Sequence, residues 1–508
     1  MQFRQLFTAS CFALAFGGGG VASQSVQEDK VTQAKSAEDG PRPDPNRYII
    51  QLSQAKTNDD TYFKKVKKTA TDFGGKVEVE VADKGFLAVT FLDKSVSELA
   101  KESLRKEDVL MEVDQLREIT GSVRSSDGSL RNLVENIPWG ITRTYEGNGI
   151  PAASYYNGLT AKKVCVIDSG YLIDHEDLPS DASAADGNPI ADSGVCGWHG
   201  SHCAGTIGAI GGNDKGVVGV FPGAPNMKIV KVFFGGGPDC EYSYASDLVG
   251  AIAACRDSGA NIVSMSLGGS GSSIVEQSAF QAFVDDDDML LVAAAGNGGP
   301  GDISYPAYYS SVVSVAAVDI NDNIAEFSST NNGVSIAAPG VGVRSTVGPG
   351  SSYSNYQGTS MACPHVAGAA LVLWNKFPNC PNQMIRNALE QSSVDLGALG
   401  KDNQYGHGRL TYWGAVSYLE ETNDCEISPT SAPSPYTCDG PTTNIDVTVT
   451  TDSFPGETSW TLLNKCNNQL VSGGGYGDSD TTYTDQVEIC DGEFEFTIND
   501  SFGDGICC

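Results

Sequence analysis

Four short apolar runs constrain the fold of this chain more than any other feature. Each run has four to six residues and almost no polar side chain, and segments with a helical pattern separate the runs. They are Val164–Ile167, Ile229–Val232, Ile262–Met265 and Leu290–Ala295. A strand that is apolar throughout is buried on both faces, as in parallel sheets covered by helices. Residues 138–419 are therefore predicted to form an α/β domain.

Two smaller regions flank this domain. Residues 47–119 contain strand-like and helix-like stretches in the order β-α-β-β-α-β, which predicts a small α+β, ferredoxin-like unit. Residues 442–508 are rich in Thr and Gly, contain cysteines and alternate in polarity, which predicts a β-rich module. The chain stops at Cys507-Cys508 directly after a predicted strand and turn, which leaves open whether this module is complete. Residues 420–441 are predicted to be a linker.

The N-terminus has the pattern of a secretory signal peptide. Arg4 precedes an apolar run, Leu6–Phe16, and small residues follow up to position 23. This run is too short to cross a bilayer and no other stretch is long and apolar enough, so we expect a secreted protein without a membrane span. Residues 24–46 are polar and rich in proline, which predicts a flexible segment. Removal of Cys11 with the signal would leave 13 of the 14 cysteines, so at least one thiol is free or pairs outside the chain.

The net charge of −31 argues against nucleic-acid binding, because phosphate backbones repel a strongly acidic surface.

Four polar residues stand at positions where catalytic groups are often found. Asp168 follows the first apolar run, Asn297 follows the fourth, and Ser360 lies between Gly358 and an apolar helical segment. The carboxyl ends of parallel strands line the crevice where α/β sheets bind ligands. Taken singly, Asp168 and Asn297 could be turn residues and Ser360 a helix cap.

His199, the fourth of these residues, also has an alternative interpretation. His199 and His202 are three residues apart and could hold a metal, although the glutamate of a zinc-protease helix is missing between them.

Together, the segments around these four residues resemble the active-site motifs of the subtilisin-like serine proteases, the subtilase family (peptidase S8), including its proteinase K branch. The matching segments are Val166–Gly170, His199–Thr206, Ala293–Asn297 and Gly358–Gly368. Their order of Asp, His and Ser is the order in subtilisin. The resemblance covers residues 138–419. It implies a parallel sheet covered by helices on both faces and serine endopeptidase activity (EC 3.4.21) without a catalytic cofactor. We therefore expect protein or peptide substrates and a monomer.

The resemblance also implies a role for each site residue. Ser360 would be the nucleophile, His199 its general base, and Asp168 the group that orients the imidazole. Asn297 would form the oxyanion hole together with the backbone N–H of Ser360.

The substrate groove can be placed in the same way. Ser266-Leu267-Gly268-Gly269 is similar to the family's strand that pairs with an extended substrate. The loop 298–306 resembles the wall of the S1 pocket and implies a broad preference for large apolar P1 residues. Asp302 in this loop would either favour basic P1 residues or be a solvated carboxylate. Residues 238–240 depart from the family pattern on the opposite rim, which leaves the S2–S4 preference open.

Structural calcium is implied by two residues. Asp177 follows Asp168 at the family's calcium-ligand spacing, and Asn213 lies in a segment similar to its calcium loop with one extra residue.

Three expectations concern the cysteines. Cys203 resembles the buried free thiol of the proteinase K branch. Cys196 and Cys240 are predicted to pair, because both fall on loops flanking the S2 side. Cys165 and Cys255 form a second predicted pair, and the sequence shows no partner for Cys363.

Residues 47–119 resemble the inhibitor-type N-terminal propeptide of the family. This resemblance implies a zymogen in which the propeptide sheet packs on the protease and the propeptide's C-terminal end lies in the substrate groove. Residues 120–137 would be the processing junction, and we expect autocleavage between about Glu118 and Glu135. Two other function classes stay open at this point, namely a surface-attachment protein with a disused protease fold and a metallohydrolase.

Overall fold

The computed structural model describes residues 42–500 except for short gaps. The gaps are residues 54–55, 58, 108, 120–122, 125–134, 152, 185–190, 192–194, 235–241, 423–424, 426–441, 451–457, 465–469, 475–481 and 491–493. The predicted signal peptide, most of the predicted flexible segment and nearly all of the predicted linker lie outside the described residues.

The N-terminal domain is a four-stranded antiparallel sheet with two helices on one face. Its elements are β1 (Arg47–Leu52), α1 (Asp60–Asp72), β2 (Lys76–Val81), β3 (Phe86–Thr90), α2 (Lys94–Leu104) and β4 (Val109–Val113), with the sheet order β2-β3-β1-β4. Alternate residues of β1 point to opposite faces, as the pleat requires. Tyr48 and Ile50 pack with Phe63 of α1 and Leu104 of α2, whereas Ile49 belongs to the hydrophobic cluster of the central domain.

The central domain is built on a seven-stranded sheet. After β5 (Leu116–Ile119) and β6 (Val123–Arg124), its elements are α3 (Trp139–Thr144), β7 (Val164–Asp168), β8 (Ser183–Ala184), α4 (His199–Gly208), β9 (Met227–Lys231), β10 (Ser243–Tyr244), α5 (Ala245–Asp257), β11 (Ile262–Met265), β12 (Leu267–Gly268), α6 (Ile274–Asp286), β13 (Leu290–Ala294), β14 (Val312–Val318), β15 (Ile336–Pro339), β16 (Val343–Thr346), β17 (Tyr353–Gln357), α7 (Thr359–Lys376), α8 (Asn382–Gln391) and α9 (Tyr412–Thr422). The sheet order is β15-β14-β13-β11-β7-β9-β8, and every pairing is parallel.

The four apolar runs form the centre of this sheet. They become β7, β9, β11 and β13, which are neighbours in the order β13-β11-β7-β9. Val164 and Val166 of β7 pack on the face that carries α4 and α7, whereas Cys165 and Ile167 pack on the face of α5 and α6. Burial on both faces explains why these strands lack polar alternation. The predicted α/β fold with helices on both faces of a parallel sheet is confirmed.

The N-terminal domain lies on helices α5 and α6 of the central domain. Its sheet contributes Ile49, Phe86 and Ala88 to the same hydrophobic cluster as these helices. Two carboxylates from the end of the domain cap the helices. Glu112 accepts hydrogen bonds from the backbone N–H groups of the first two residues of α6 (3.2 and 3.3 Å), and Asp114 accepts one from Ser246 N in the first turn of α5 (3.0 Å). Negative charge at a helix N-terminus satisfies unpaired N–H groups and interacts favourably with the helix dipole.

The C-terminal module consists of strands only, as far as it is described. They are β18 (Thr442–Thr450), β19 (Thr458–Asn464), β20 (Leu470–Gly474), β21 (Thr482–Cys490) and β22 (Phe494–Asp500), arranged as the antiparallel sheets β18-β21 and β20-β19-β22. Among the helices that the structure describes, each is too short or too polar to span a bilayer.

The disulfides agree in part with the expectations. Cys165 and Cys255 are bonded, which joins β7 to α5. Cys196 is also disulfide-bonded, but its partner and Cys240 lie outside the described residues, so the pairing of Cys196 with Cys240 stays a prediction. The sequence analysis did not foresee the bond between Cys380 and Cys425.

Candidate active site

The predicted site residues meet at the carboxyl edge of the parallel sheet. Asp168 is the last residue of β7, Ser266 connects β11 to β12, and Asn297 follows β13 by three residues. His199 is the first residue of α4 and Ser360 is the second residue of α7. Strand ends and helix starts therefore bring residues that are distant in the chain to one edge, as is general for α/β sheets.

Asp168 and His199 form a buried hydrogen-bonded pair. Nδ1 of His199 lies 2.8 Å from Oδ1 and 3.0 Å from Oδ2 of Asp168, and both side chains are fully buried. The backbone N–H of Ser169 donates to Oδ1 of Asp168 at 2.7 Å and holds the carboxylate in place. A carboxylate at Nδ1 fixes the proton there and leaves Nε2 as the basic nitrogen. Among the described residues, the buried Nε2 has no hydrogen-bond partner. The ring is thus arranged to accept a proton at Nε2.

Ser360 stands at the N-terminus of the long buried helix α7. Its Oγ donates to the backbone oxygen of Ser266 at 3.2 Å, and Oγ of Ser266 donates to the backbone oxygen of Ser360 at 2.8 Å. Gly358 precedes the helix at φ 151°, a conformation that favours glycine. The helix N-terminus places unpaired N–H groups and the positive end of the dipole beside Oγ. This environment can stabilise negative charge that develops during attack on a carbonyl.

Asn297 is held in one orientation by Thr359. Its Oδ1 accepts hydrogen bonds from the backbone N of Thr359 at 2.9 Å and from Oγ1 of Thr359 at 3.0 Å. Since Oδ1 is bound to the residue next to Ser360, the direction of the Nδ2 group is fixed as well. A side-chain amide that is oriented before reaction is what an oxyanion hole requires.

The two other histidines of the motifs have structural contacts. Nε2 of His202 lies 3.0 Å from the backbone oxygen of Val343, and its ring stacks on Tyr356 at 4.4 Å. Nδ1 of His365 lies 2.8 Å from the backbone oxygen of Met361. Burial lowers the pKa of His202 to about 3 and that of His365 to about 4, so both rings are neutral. Because Nε2 of His202 is hydrogen-bonded to a backbone carbonyl, the structure does not support a metal site formed by His199 and His202.

Cys203 lies directly behind the pair. Its Sγ is 3.8 Å from Nδ1 of His199 and 3.5 Å from the backbone oxygen of Ser360. Ligand atoms of Asp168, His199 and Cys203 come within 4.8 Å of one another, the one such group among the residues that the structure describes. Burial raises the pKa of the Cys203 thiol well above its usual value, whereas a metal ligand must be a thiolate. Cys203 is free and buried, and its contacts are those of a packing residue.

A strand from the N-terminal region fills the groove beside the site. β5 lies between β10 and β12 and pairs with both in antiparallel fashion. Ile119 is opposite Leu267 and Glu118 is opposite Gly268. β6, four residues after β5, pairs with β17, the strand that leads into Ser360. The chain therefore contacts both rims of the groove, on either side of the nucleophile.

The contacts of the predicted substrate strand explain why it contains glycine. Leu267 and Gly268 pair with β5, whereas the backbone of Gly269 pairs with Tyr305. A Cβ on Gly269 would lie 2.4 Å from the backbone oxygen of Leu116 in β5. Glycine is needed there because an extended chain approaches closely.

Asp302 is hydrogen-bonded to a second segment of the chain, around residues 329–331. Its Oδ2 accepts a hydrogen bond from Oγ of Ser329 at 2.6 Å, and its backbone oxygen accepts one from Nδ2 of Asn331 at 2.7 Å. These hydrogen bonds indicate that Asp302 holds the loop in shape, and they argue against a role of its carboxylate in recognising basic P1 residues.

The two residues predicted to bind calcium are adjacent. Oδ1 of Asp177 accepts a hydrogen bond from Nδ2 of Asn213 at 2.8 Å, and Oδ2 accepts one from the backbone N of Val217 at 2.8 Å. Burial, together with the nearby charges of Glu135 and Glu176, raises the pKa of Asp177 to about 7. The two hydrogen-bond partners of this carboxylate are nitrogen donors, but the carboxylate oxygens of Asp177, Glu135 and Glu176 are of the donor type that Ca²⁺ prefers.

Sequence analysis missed one charged pair in the groove. Arg117 of β5 and Glu276 of α6 are both fully buried and form a salt bridge. The available signal was Glu276 itself, but an acidic residue in the first turn of a helix is ordinary because it complements the helix dipole.

Comparison with known proteins gives consistent relatives. The sequence profile described as "Subtilase family" matches residues 160–408. Subtilisin Savinase of Lederbergia lenta is 42% identical over 279 residues, which are 54% of this chain and 96% of that protein. An alkaline protease of Shouchella clausii is 39% identical over 287 residues, 56% of this chain and 70% of that protein.

Solved structures show the same likeness. The psychrophilic subtilisin-like protease Apa1 from the Antarctic Pseudoalteromonas sp. AS-11 has 29% identity and a TM-score of 0.51, and the match covers 58% of this chain and all of that one. Fervidolysin from Fervidobacterium pennivorans has 24% identity and a TM-score of 0.62, over 91% of this chain and 70% of that one, which shows a shared fold.

Proposed function

Because the chain belongs to the subtilase family of serine proteases, we propose that it is a secreted endopeptidase that uses Ser360, His199 and Asp168 as its catalytic triad. The observation that carries this proposal is the buried Asp168–His199 pair, whose Nε2 has no hydrogen-bond partner among the described residues. His199 begins helix α4, which packs against α7, the helix that has Ser360 as its second residue. As a subtilase it needs no catalytic cofactor, and its substrates are peptides.

The first chemical step forms an acyl-enzyme. Oγ of Ser360 attacks the scissile carbonyl while Nε2 of His199 takes the hydroxyl proton. For this transfer, Oγ turns its proton from the backbone oxygen of Ser266 to Nε2 of His199. The resulting imidazolium is stabilised by Asp168, which stays ionised. Nε2 then gives its proton to the leaving amine, and the C–N bond breaks.

The second step releases the acid product. Water attacks the ester on Ser360, His199 accepts the proton from this water, and Oγ of Ser360 leaves with a proton. In both steps the oxyanion would be stabilised by Asn297 and the backbone N–H of Ser360. The apolar P1 preference is carried over from the resemblance of the loop 298–306 to the S1 wall of the family, and the hydrogen bond from Ser329 to Asp302 supports a structural role for this carboxylate.

We also propose that the N-terminal domain, residues 47–119, is an intramolecular inhibitor that the protease removes itself. Three contacts support this proposal: the hydrophobic cluster shared with α5 and α6, the caps formed by Glu112 and Asp114, and β5 in the groove. The end of β5 at Ile119 and the start of β6 at Val123 support a scissile bond between these two residues. The register of β5 on β12 favours the bond Thr120–Gly121.

N-terminal sequencing tests this processing step. We expect the active, secreted form of the full chain to begin at Gly121, and any start from residue 120 to 123 agrees with the bracketed junction. A start before Arg47, or a mature form that retains the N-terminal domain with full activity, would contradict the inhibitor assignment.

A serine-directed phosphonate separates the proposal from the two other function classes. The mature protein should be labelled at Ser360 and should retain activity in the presence of a chelator. A surface-attachment protein with a disused site would stay unlabelled, and a metallohydrolase would lose activity with the chelator.

Structural calcium is a further part of the proposal, with Asp177 and Asn213 as ligands. A ligand that binds only the folded state stabilises it by about 2.7 kcal/mol at a hundredfold excess over its Kd. We therefore expect Ca²⁺ to raise the melting temperature of the mature enzyme by several degrees, and Asp177→Asn to abolish this rise. Mg²⁺ at the same ionic strength is the control, and a melting temperature that Ca²⁺ leaves unchanged would contradict the site.

A further inference from the structure

The buried pair of Arg117 and Glu276 joins the occupied groove to the body of the protease. Nε of Arg117 donates to Oε1 of Glu276 at 3.1 Å, Nη2 donates to Oε2, and neither side chain is exposed. Nη1 of the guanidinium donates to the backbone oxygen of Leu116 at 2.8 Å. Such a two-point contact matches the planar fork of an arginine to a carboxylate.

The carboxylate belongs to the protease side of this pair and is held there. Glu276 lies in the first turn of α6, and its Oε2 also accepts a hydrogen bond from Oη of Tyr309 at 2.7 Å. Tyr309 is itself fixed by Ser273, whose backbone N donates to Oη at 3.0 Å. Gly269, which directly follows β12, forms one wall of the pocket that holds the guanidinium, since a Cβ on this residue would lie 3.4 Å from Nη1 of Arg117. The pocket is therefore built from protease residues and not from the N-terminal domain.

Removal of β5 would open this pocket and leave the Glu276 carboxylate without its cationic partner. Glu112 and Asp114, the nearby carboxylates of the N-terminal domain, depart together with Arg117, whereas the hydrogen bond from Tyr309 to Glu276 stays within the protease. A substrate that covers the pocket again without supplying a cation would bury an unpaired carboxylate, which is strongly unfavourable. A substrate with a guanidinium at the same position would restore both hydrogen bonds and the charge balance.

The register in which β5 pairs with β12 indicates which substrate subsite this pocket is. Ile119 faces Leu267, so the next rung contains Ser266, whose backbone oxygen accepts the hydrogen bond from Oγ of Ser360. A substrate residue on that rung has its carbonyl at the nucleophile and is P1. Arg117, two residues before Ile119, therefore occupies the position of P4.

We propose that Glu276 is the specificity-determining residue of subsite S4 and makes the mature enzyme select peptides with arginine at P4. This inference rests on the proposed endopeptidase function. The N-terminal domain would then inhibit the enzyme by presenting the side chain that the site prefers. Lysine should be a weaker substrate residue, because an ammonium group cannot bind both carboxylate oxygens in the same plane.

Peptide kinetics with the mature enzyme test the proposal. Fluorogenic peptides that share one apolar P1 residue would carry arginine, lysine, citrulline, leucine or alanine at P4. Citrulline keeps the shape of arginine and removes its charge. A hydrogen-bonded charge is worth about 1.5–3 kcal/mol, so we expect kcat/KM to be about 10- to 100-fold higher for arginine than for citrulline.

Three variants of the full chain separate recognition from folding. Glu276→Gln should bring the arginine-to-citrulline ratio to within about twofold, because the amide keeps the size of the side chain without its charge. Arg117→Leu changes only the segment that is removed, so its mature form should show the ratio of the wild type. The double variant Arg117→Leu with Glu276→Leu places two apolar side chains in the pocket of the precursor, which preserves folding, and its mature form should prefer leucine.

Each result decides the matter. Equal rates for arginine and citrulline in the wild type, or an arginine preference that survives Glu276→Gln, would overturn the assignment of S4. The peptide with alanine at P4, which offers Glu276 no polar side chain, distinguishes this failure from failure of the proposed function when wild type and Glu276→Gln are both assayed for its cleavage and for labelling by the phosphonate. If neither cleaves it and neither is labelled by the phosphonate, the endopeptidase function itself is wrong and the S4 assignment with it.

Discussion

Ser360→Ala should lower kcat by about 10⁶-fold and leave the secreted chain as an uncleaved precursor. The loss has this size because alanine removes the atom that forms the acyl-enzyme, and the remaining oxyanion hole and binding groove give only residual catalysis. The two effects share one cause, since β5 and β6, which flank the proposed junction, pair with strands on the two rims of the same groove.

The measurement combines peptide kinetics with gel analysis of the secreted protein over time. Trace amounts of wild-type enzyme should cleave the Ser360→Ala precursor at its junction, which serves as the control that the junction itself is intact. The variant should also melt within a few degrees of the wild-type precursor, because a single hydroxyl contributes little to stability. A Ser360→Ala chain that matures alone at the wild-type rate would show that another protease performs the cleavage.

Asp168→Asn should lower kcat/KM by about 10⁴-fold near neutral pH. Asparagine has nearly the shape of aspartate, but its Nδ2 group would donate to Nδ1 of His199. The imidazole would then carry its proton on Nε2, where it cannot accept the proton of Ser360. The imidazolium formed in the transition state would also lose its counter-charge, because this pair is fully buried.

Asp257→Asn is the matched control for this variant. Asp257 is exposed at the end of α5 and pairs only at the surface with Arg256, so its replacement should leave kcat/KM unchanged. The rate of phosphonate labelling should fall for Asp168→Asn in parallel with peptide hydrolysis, since both need an activated Ser360. A loss smaller than about tenfold would contradict the role of Asp168 as the group that fixes the histidine tautomer.

The fold of the central domain was predictable because its signal is local. Burial on both faces removes polar residues from a strand, and this loss is visible within four residues. The same reasoning gave the positions of Asp168 and Asn297, since the end of an apolar run marks the carboxyl end of a strand. The position of Ser360 at a helix start was visible in the same way from Gly358 and the apolar segment that follows.

From the sequence, the packing of the N-terminal domain on the protease could be predicted only in general terms. Which face of its sheet meets the protease depends on Ile49, Phe86 and Ala88 fitting against α5 and α6, and these residues look like ordinary strand residues in the sequence. Glu112 and Asp114 likewise resemble surface carboxylates until two helix N-termini are placed beside them.

The sequence by itself determined the parallel sheet, the family and the identity of the residues proposed for catalysis, because each depends on a pattern of a few adjacent residues. Only the tertiary structure decided how the groove is filled. Arg117 and Glu276 are 159 positions apart, and nothing near either residue indicates the other. Their pairing follows from the register of β5 on β12 and from the packing of α6 behind it, which are long-range contacts that no local pattern records. The preference of subsite S4 therefore had to be inferred from the folded chain.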